Sequence, residues 1–287
     1  MSIKEKIECH PVLRHLKPKK YIIYIFLFIY AIIALFPLYF AVISSFKGNM
    51  EIFLNPFTLP KQWGFENYTR ALEVGNMAKS FINSIILTVS VLIITGSVGA
   101  LASFVIARFS FKLQNLTLIF FISGMMIPVQ AVIIPLSFTF GKLGIINNYP
   151  ILILLFTAFQ IPITILIITG FMRSIPCEIE EAAVMDGCKP FRIFLSIIIP
   201  MSMPAISTAS IFNFLNVWNN LLFPLIFINK KDLQVISLAL QSFFAERTSD
   251  FGGVMAAIVI SILPPLISYI LLQEKVERGM TAGAVKG

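Results

Sequence analysis

Residues 180–187 read Glu-Glu-Ala-Ala-Val-Met-Asp-Gly and, nine residues further on, residues 197–200 read Ile-Ile-Ile-Pro. Carboxylates are concentrated around the first of these stretches, at Glu178, Glu180, Glu181 and Asp186. Long uncharged apolar runs lie on both sides of the segment. A polar segment held between two membrane-spanning runs is well placed to pass force from a soluble partner into the membrane, and this is the first hypothesis.

The composition is that of a membrane protein. Apolar residues make up 57% of the 287 residues and charged residues 13%. Soluble domains contain roughly 45–50% apolar and about 25% charged residues. A chain with so few charges cannot cover a water-facing surface, so we expect lipid to be its solvent. The length leaves room for about six helical spans with their loops.

Six uncharged runs are long enough to cross roughly 30 Å of hydrocarbon as helices. They lie at about residues 21–46, 81–107, 113–141, 149–172, 197–228 and 252–272. The first run is longer than the apolar core of a signal peptide and lacks its cleavage site, so we read it as a retained helix. The sequence therefore predicts an all-α polytopic membrane protein with six transmembrane helices.

The positions of the basic residues predict the orientation. With the amino terminus inside, 14 of the 22 Lys and Arg residues lie in cytoplasmic segments, which favours both termini in the cytoplasm. The domain prediction is a basic cytoplasmic tail at 1–20, a transmembrane domain at 21–273 and a cytoplasmic C-terminal tail at 274–287. The loop 173–196 is then cytoplasmic. The outside loop 47–80 packs as a small external cap or contains a short interfacial helix, and its aromatics fit both.

The charges that are missing exclude several classes of protein. None of the six runs contains Asp, Glu, Lys, Arg or His, whereas ion-coupled carriers and proton pumps need such groups in the membrane. The sequence has no HExxH, no Cys/His cluster and no GxxxxGK[ST] phosphate loop. We therefore expect no catalytic site, no metal site, no cofactor and no ATP site in this chain. With no basic stripe on a polar helix, we expect no nucleic-acid partner.

Neutral polar residues recur on the fifth run. Their spacings of three, three and four place them on one helical face, at Ser210, Asn213, Asn216 and Asn220. Gln130 and Gln160 add amides on neighbouring runs. Hydrocarbon cannot satisfy an amide, so the stripe faces other helices or a watery path. Helix-to-helix hydrogen bonding and the lining of a path for a hydroxyl-rich solute both remain open.

Small residues recur on the second run. Gly96 and Ala100, and again Gly99 and Ser103, have the small-xxx-small spacing that lets helix backbones approach closely. Small residues are also simply common in membrane helices, and the spacing does not separate these two interpretations.

The loop 173–196 has the features of two helices joined by a glycine. Acids at its start complement the positive end of a helix dipole, and Gly187 can adopt the left-handed conformation that ends a helix. A second helical stretch begins near Lys189, with Phe191 and Phe194 on one face. Docking of a partner on the acids and aromatics is one interpretation. A solvated loop whose Phe side chains pack on the domain itself is the other.

Several motifs together resemble those of ABC importer permeases. Glu-Ala-Ala at 181–183, then Gly187, then Ile197 and Ile199-Pro200 resemble the EAA motif, with Ile199 a mild departure from the usual Leu. Residues 83–109, ending in Ala-Arg-Phe, are similar to a core helix of this family. Further similarities to its sugar-importing branch are Met-Ile-Pro-Val-Gln at 126–130, Trp218-Asn219 and the terminal residues 281–287.

The resemblance implies a transport subunit rather than an enzyme. A cytoplasmic coupling helix between helices 4 and 5 would dock in a cleft of an ABC ATPase subunit, which binds and hydrolyses ATP with Mg. The residues implied in this coupling are Glu180, Glu181, Ala182, Ala183, Asp186, Gly187 and Pro200. The other implied partners are a second permease subunit, expected to be a different chain, an extracytoplasmic solute-binding protein and the carbohydrate. The implied location is the plasma membrane, with multiple passes.

Two departures from the family pattern concern the substrate. Asn220 stands where relatives often have a carboxylate, and residues 273–278 lack the usual aromatics. The leading prediction is the permease subunit of an ATP-dependent sugar importer that works by alternating access. The alternative is a membrane scaffold that docks a cytoplasmic partner without transporting.

Overall fold

The computed structural model describes residues 17–73, 75–246 and 249–284. Every regular element in these ranges is helical, which confirms the predicted all-α class. Most of the predicted basic tail, residues 1–16, and the last three residues of the terminal motif lie outside the described residues.

The helices are short in the loops and long in the predicted spans. In chain order they are α1 (Lys17–Ser44), α2 (Asn49–Leu54), α3 (Glu66–Glu73), α4 (Met77–Arg108), α5 (Gln114–Ser123), α6 (Val129–Lys142), α7 (Tyr149–Met172), α8 (Glu178–Met185), α9 (Pro190–Ile193), α10 (Ile199–Met201), α11 (Met203–Trp218), α12 (Leu222–Phe227), α13 (Ile236–Glu246) and α14 (Phe251–Ala284). A wide π turn at Phe194–Ile198 joins α9 to α10, and 3₁₀ turns lie at Gly124–Met126 and Lys231–Leu233.

Four continuous helices in the described ranges are long and apolar enough to cross a membrane: Tyr21–Ser44 of α1, α4, α7 and Phe251–Leu271 of α14. Two further predicted spans fall on bent pairs. The pair Gln114–Met126 and Val129–Lys142 bends by 86°, and the pair Pro190–Met201 and Met203–Trp218 bends by 72°. The membrane-spanning helices therefore number four, or up to six if each bent pair is one span.

The first bend lies at Pro128, which is extended with φ −69° and ψ 123°. Proline has no backbone N–H to donate and restricts the residue before it to extended conformations, so the helix stops there and α6 restarts. The second bend lies at Ser202, a buried residue whose backbone N–H donates to the carbonyl of Ile198 at 2.8 Å.

The bundle is built around α4, α7 and α11, which pack against one another. At Gly99 a Cβ atom would lie 2.5 Å from Thr164 Cγ2, so α4 and α7 approach more closely there than any larger residue allows. The Ser103 hydroxyl donates across the same contact to the carbonyl of Ile165 at 3.4 Å. The close-approach interpretation of Gly99 and Ser103 is confirmed, whereas Gly96 has open space beside it.

The segment after α1 folds into a small cap. Phe46 packs on Trp63 and Tyr68, with ring centroids 5.1 and 5.2 Å apart. Lys47 is fully buried, and its Nζ donates to the carbonyls of Asn55 and Pro56 at 2.9 and 3.2 Å. The predicted cap forms, and α3 within it packs against α14.

Candidate functional site

α8 is a two-turn helix with a glycine immediately after it. Gly187 has φ +77°, in the left-handed region that suits a residue without a Cβ atom. The N–H of Gly187 donates to the carbonyl of Val184 at 2.9 Å, and that of Cys188 to the carbonyl of Ala183 at 3.0 Å. These bonds satisfy the last carbonyls of α8. The structure thus has the short helix, glycine bend and second helix that the loop sequence predicts.

α8 has one buried and one exposed face. Ala183 is buried in an apolar cluster with Met172 of α7 and with Phe194 and Ile198 of the π turn. The opposite face presents side chains spaced by three and four residues, at Glu178, Glu181, Ala182 and Met185. Met185 is 87% exposed. An acidic face that also carries a nearly fully exposed methionine suits a partner with both basic and apolar contacts.

Glu180 does not lie on the exposed face of α8. Its Oε1 lies 2.5 Å from Nε of Arg108, the last residue of α4. The contact is an ion pair rather than a hydrogen bond, because the N–H does not point at the oxygen. Arg108 Nη2 also donates to the carbonyl of Ile175 at 3.0 Å. Arg108 was not among the residues predicted for this site, although it is the charged residue of the Ala-Arg-Phe motif.

Phe194 and Phe191 differ in their surroundings. The Phe194 ring is buried and lies 5.0 Å from the ring of Phe104 in α4. Phe191 is 65% exposed. Pro200 is exposed and stands in the three-residue helix α10, between the π turn and the bend at Ser202. The EAA-like segment therefore contains the docking face, the glycine bend and a joint before α11.

Asn213 of the predicted polar stripe lies in the bundle interior. It is 1% exposed, and its Nδ2 donates to the hydroxyls of Thr164 and Thr95 at 2.8 and 3.3 Å. These contacts join α11 to α7 and α4. For Asn213 the structure therefore favours helix-to-helix hydrogen bonding over a path-lining role.

Three other amides line an open cavity of about 410 Å³ at the end of α11: Asn216, Asn219 and Asn220. Asn220 Oδ1 accepts from the N–H of Phe223 at 3.0 Å, and Asn216 Nδ2 donates to the carbonyl of Phe212 at 2.9 Å. Asn219 was not predicted as part of the stripe. The helical spacing rule fails there because α11 ends at Trp218 and the chain turns before α12 begins.

The remaining predicted polar residues are dispersed. Ser210 is half-buried on α11, Gln160 is half-buried on α7 and Gln130 is exposed near the start of α6. None of the three lines the cavity of the three asparagines. In the described ranges, His, Cys, Asp and Glu side chains nowhere form a group of three that could hold a metal ion.

Comparison with known proteins identifies the family. Residues 97–282 match the family described as binding-protein-dependent transport system inner membrane component. The chain belongs to this family. The matched region of the permease runs from the middle of α4 into α14 and includes Arg108, α8 and the polar cavity. The predicted resemblance to ABC importer permeases is confirmed, and such proteins are multi-pass membrane proteins.

Relatives of the permease cover nearly its whole length. It is 34% identical to the diacetylchitobiose uptake system permease protein NgcG of Streptomyces coelicolor, over 91% of this chain and 87% of the relative. It is 31% identical to the probable starch degradation products transport system permease protein AmyC of Thermoanaerobacterium thermosulfurigenes, over 96% and 100%. The melibiose/raffinose/stachyose import permease protein MelC of Bacillus subtilis is 31% identical, over 88% and 91%.

Solved structures share the fold of the permease. A chain of a bacterial ABC transporter that imports the acidic polysaccharide alginate matches with a TM-score of 0.78 and 22% identity, over 91% of this chain and 97% of that one. A chain of an alginate ABC transporter in complex with a pentasaccharide-bound periplasmic protein matches with a TM-score of 0.64 and 13% identity, over 93% and 99%.

Proposed function

We propose that this permease is the membrane subunit of an ATP-dependent sugar importer and works by alternating access. The observation that carries the proposal is the exposed acidic face of α8, held on a glycine-bent loop between two membrane-spanning segments. The names of NgcG, AmyC and MelC, which refer to the uptake or import of saccharides, support a carbohydrate as the cargo. The proposed topology has six spans, both termini in the cytoplasm and the loop 173–196 as the cytoplasmic coupling loop.

α8 is the proposed contact with a cytoplasmic ATPase subunit. Glu181 supplies an exposed charge for a basic partner residue, and Met185 supplies a flexible apolar contact. Gly187 gives the bend that separates this helix from α9. ATP and Mg²⁺ belong to the partner in this proposal, and closure of two ATPase subunits drives the permease from inward-facing to outward-facing.

The cavity lined by Asn216, Asn219 and Asn220 is the proposed part of the sugar path. Side-chain amides both donate and accept, so they suit sugar hydroxyls without requiring a charged substrate. The cavity is open on one side, which fits closure by a second, different permease subunit. Ser210, Gln130 and Gln160 stay in the proposal as path residues on other levels. A solute-binding protein would dock on the outside loops and deliver the sugar.

Co-purification tests the class of protein. A tag on this chain in a mild detergent is expected to recover an ATPase, a second permease and a binding protein. In proteoliposomes with ATP, the complex is expected to take up at least one of labelled diacetylchitobiose, melibiose and raffinose. A scaffold would recover partners without any uptake, and that result would favour the alternative function.

Two substitutions test α8 as the coupling element. Glu181→Lys reverses the exposed charge, and Gly187→Pro forces φ near −65° where the chain needs +77°. Both are expected to reduce recovery of the ATPase and sugar uptake together. Glu73→Lys, an exposed acid on α3, is the control and is expected to leave ATPase recovery unchanged. If both α8 variants behaved like the control, the coupling role would be wrong.

A further inference from the structure

Arg108 contacts two points of the segment that carries α8. Its Nη2 donates to the Ile175 carbonyl, on the chain that leads into α8, and its Nε lies 2.5 Å from Glu180 on α8 itself. The planar guanidinium can serve two acceptors at once in a fixed geometry, which the single ammonium of a lysine cannot. One side chain therefore ties the end of α4 to both the entry and the body of α8.

The ion pair is shielded from water. The side chains of Arg108 and Glu180 are only 9% and 17% exposed. Salt and solvent weaken such a pair much less than a surface pair, and removal of one partner leaves the other charge buried without compensation. The contact is therefore worth more to the position of α8 than the other carboxylates of the segment, which are exposed.

α4 is suited to receive a force at this point. It is a 32-residue helix, and the close approach of Gly99 to Thr164 locks its middle against α7. Near its end, Phe104 packs on Phe194, which lies beyond the glycine bend. Displacement of α8 must either move α4 with it or break the Arg108 contacts.

We propose that Arg108, acting through Glu180, is a positioning residue that holds α8 on α4 and transmits movement of the docked helix to the membrane-spanning helices. The two neighbouring acids then have different tasks: Glu181 faces the partner, and Glu180 faces inward as the tether. The transmission part of this inference rests on the proposed function, whereas the tether itself is a property of the isolated chain.

Amide hydrogen exchange of the chain alone in lipid nanodiscs tests the tether. Arg108→Met and Glu180→Gln are each expected to speed exchange of the α8 amides by about tenfold, because local opening no longer breaks the ion pair. Amides of α7 are expected to keep their rates. Arg173→Met, an exposed arginine just after α7, is the matched control and is expected to change nothing. The double variant is expected to match the single ones, since both remove the same interaction.

Unchanged exchange of α8 in both single variants would overturn the tether. Glu180→Gln is nearly isosteric, so it keeps the test valid if Arg108→Met fails to fold. The exchanged pair Arg108→Glu with Glu180→Arg is expected to recover at least part of the protection. Faster exchange that spreads through α4 and α7 would instead show a general loss of packing and would also contradict the proposal.

The assembled complex tests transmission. Arg108→Met and Glu180→Gln are expected to keep the ATPase bound, unlike Glu181→Lys, and to lower labelled sugar taken up per ATP hydrolysed by about tenfold. The label is diacetylchitobiose, melibiose or raffinose, whichever the unaltered complex transports. A normal ratio in variants whose α8 exchanges faster would overturn transmission. If the unaltered complex transports none of the three, the proposed sugar transport is at fault, and the exchange experiment still decides the tether.

Discussion

The two ends of α4 are held in different ways. At its first end, neutral side chains bond to the backbone of residues 231–236: Asn76 to Lys231, Asn83 to Asp232 and Gln234, and Ser84 to Ile236. At its last end, the polar contacts to the α8 segment come from the single charged side chain of Arg108. Many neutral bonds fix one end redundantly, whereas the other end depends on one arginine. The second arrangement suits a part that one event must move.

Phe104 provides the largest test, since it is the apolar support beside Arg108. Phe104→Ala removes a buried ring that packs on Phe194, and it is expected to lower the free energy of unfolding by about 3–5 kcal/mol. Phe120→Ala, whose ring is 71% exposed, is the control and is expected to change it by less than about 0.5 kcal/mol. Unfolding in SDS measures both. Equal effects would mean that packing at the α8 end matters little to the fold.

Gly99 tests whether α4 is rigid between its two ends. The Cβ of Gly99→Ala would lie 2.5 Å from Thr164 Cγ2, so α4 and α7 must separate, at a cost of about 1–3 kcal/mol in the free energy of unfolding. Gly96→Ala meets nothing within 4 Å and is expected to be neutral or stabilising by up to about 1 kcal/mol. SDS unfolding of the pair checks the prediction, and equal losses would contradict a close contact at Gly99.

Asn83 tests the redundancy of the first end. Asn83→Ala removes two hydrogen bonds to the backbone of residues 232 and 234, but Asn76 and Ser84 remain. The expected loss is about 1 kcal/mol, with little change in amide exchange of residues 231–236. If this one substitution freed residues 231–236 as much as Arg108→Met frees α8, the contrast between the two ends would be wrong.

Asp232 gives the smallest expected effect. The hydrogen bond from Lys79, and then its charge, hold the pKa of the Asp232 carboxyl below its usual value. A lowered folded-state pKa stabilises above the unfolded pKa, and this contribution is lost as the pH falls through the folded pKa. Thermal unfolding of Asp232→Asn is therefore expected to fall slightly below that of the unaltered chain at neutral pH. The difference is expected to vanish in acid, and Lys79→Met is the matched control; a difference that persisted in acid would contradict the ion-pair origin.

The helical class and the α8 loop were predictable because both depend on local sequence. Uncharged runs long enough for a bilayer determine helices, and a glycine after an acidic stretch determines a helix end. The bends were harder to locate. Pro37 and Pro162 lie inside continuous helices, whereas Pro128 stands at an 86° bend. Proline alone does not bend a membrane helix, because neighbouring helices decide whether the chain continues.

The candidate site was predictable only in part because some of its contacts are long-range. Arg108 and Glu180 are 72 positions apart, and nothing in either stretch of sequence says that they meet. The asparagine stripe was a regular pattern on a helix that does not stay regular. Asn213 points into the bundle, and the end of α11 at Trp218 brings Asn219 beside Asn216 instead.

The wide turn at Phe194–Ile198 makes the spacing between Gly187 and Pro200 a mechanical quantity. A π turn holds one more residue than an α turn of the same rise, so it is a stored residue in the chain between the glycine bend and α11. Deletion of Ser196 would tighten this turn to ordinary helix and rotate everything before it by about 100° relative to α11. The buried side of α8 would then turn away from the end of α4, with its sequence unaltered. The length of the connection, as much as its residues, sets the direction in which α8 faces.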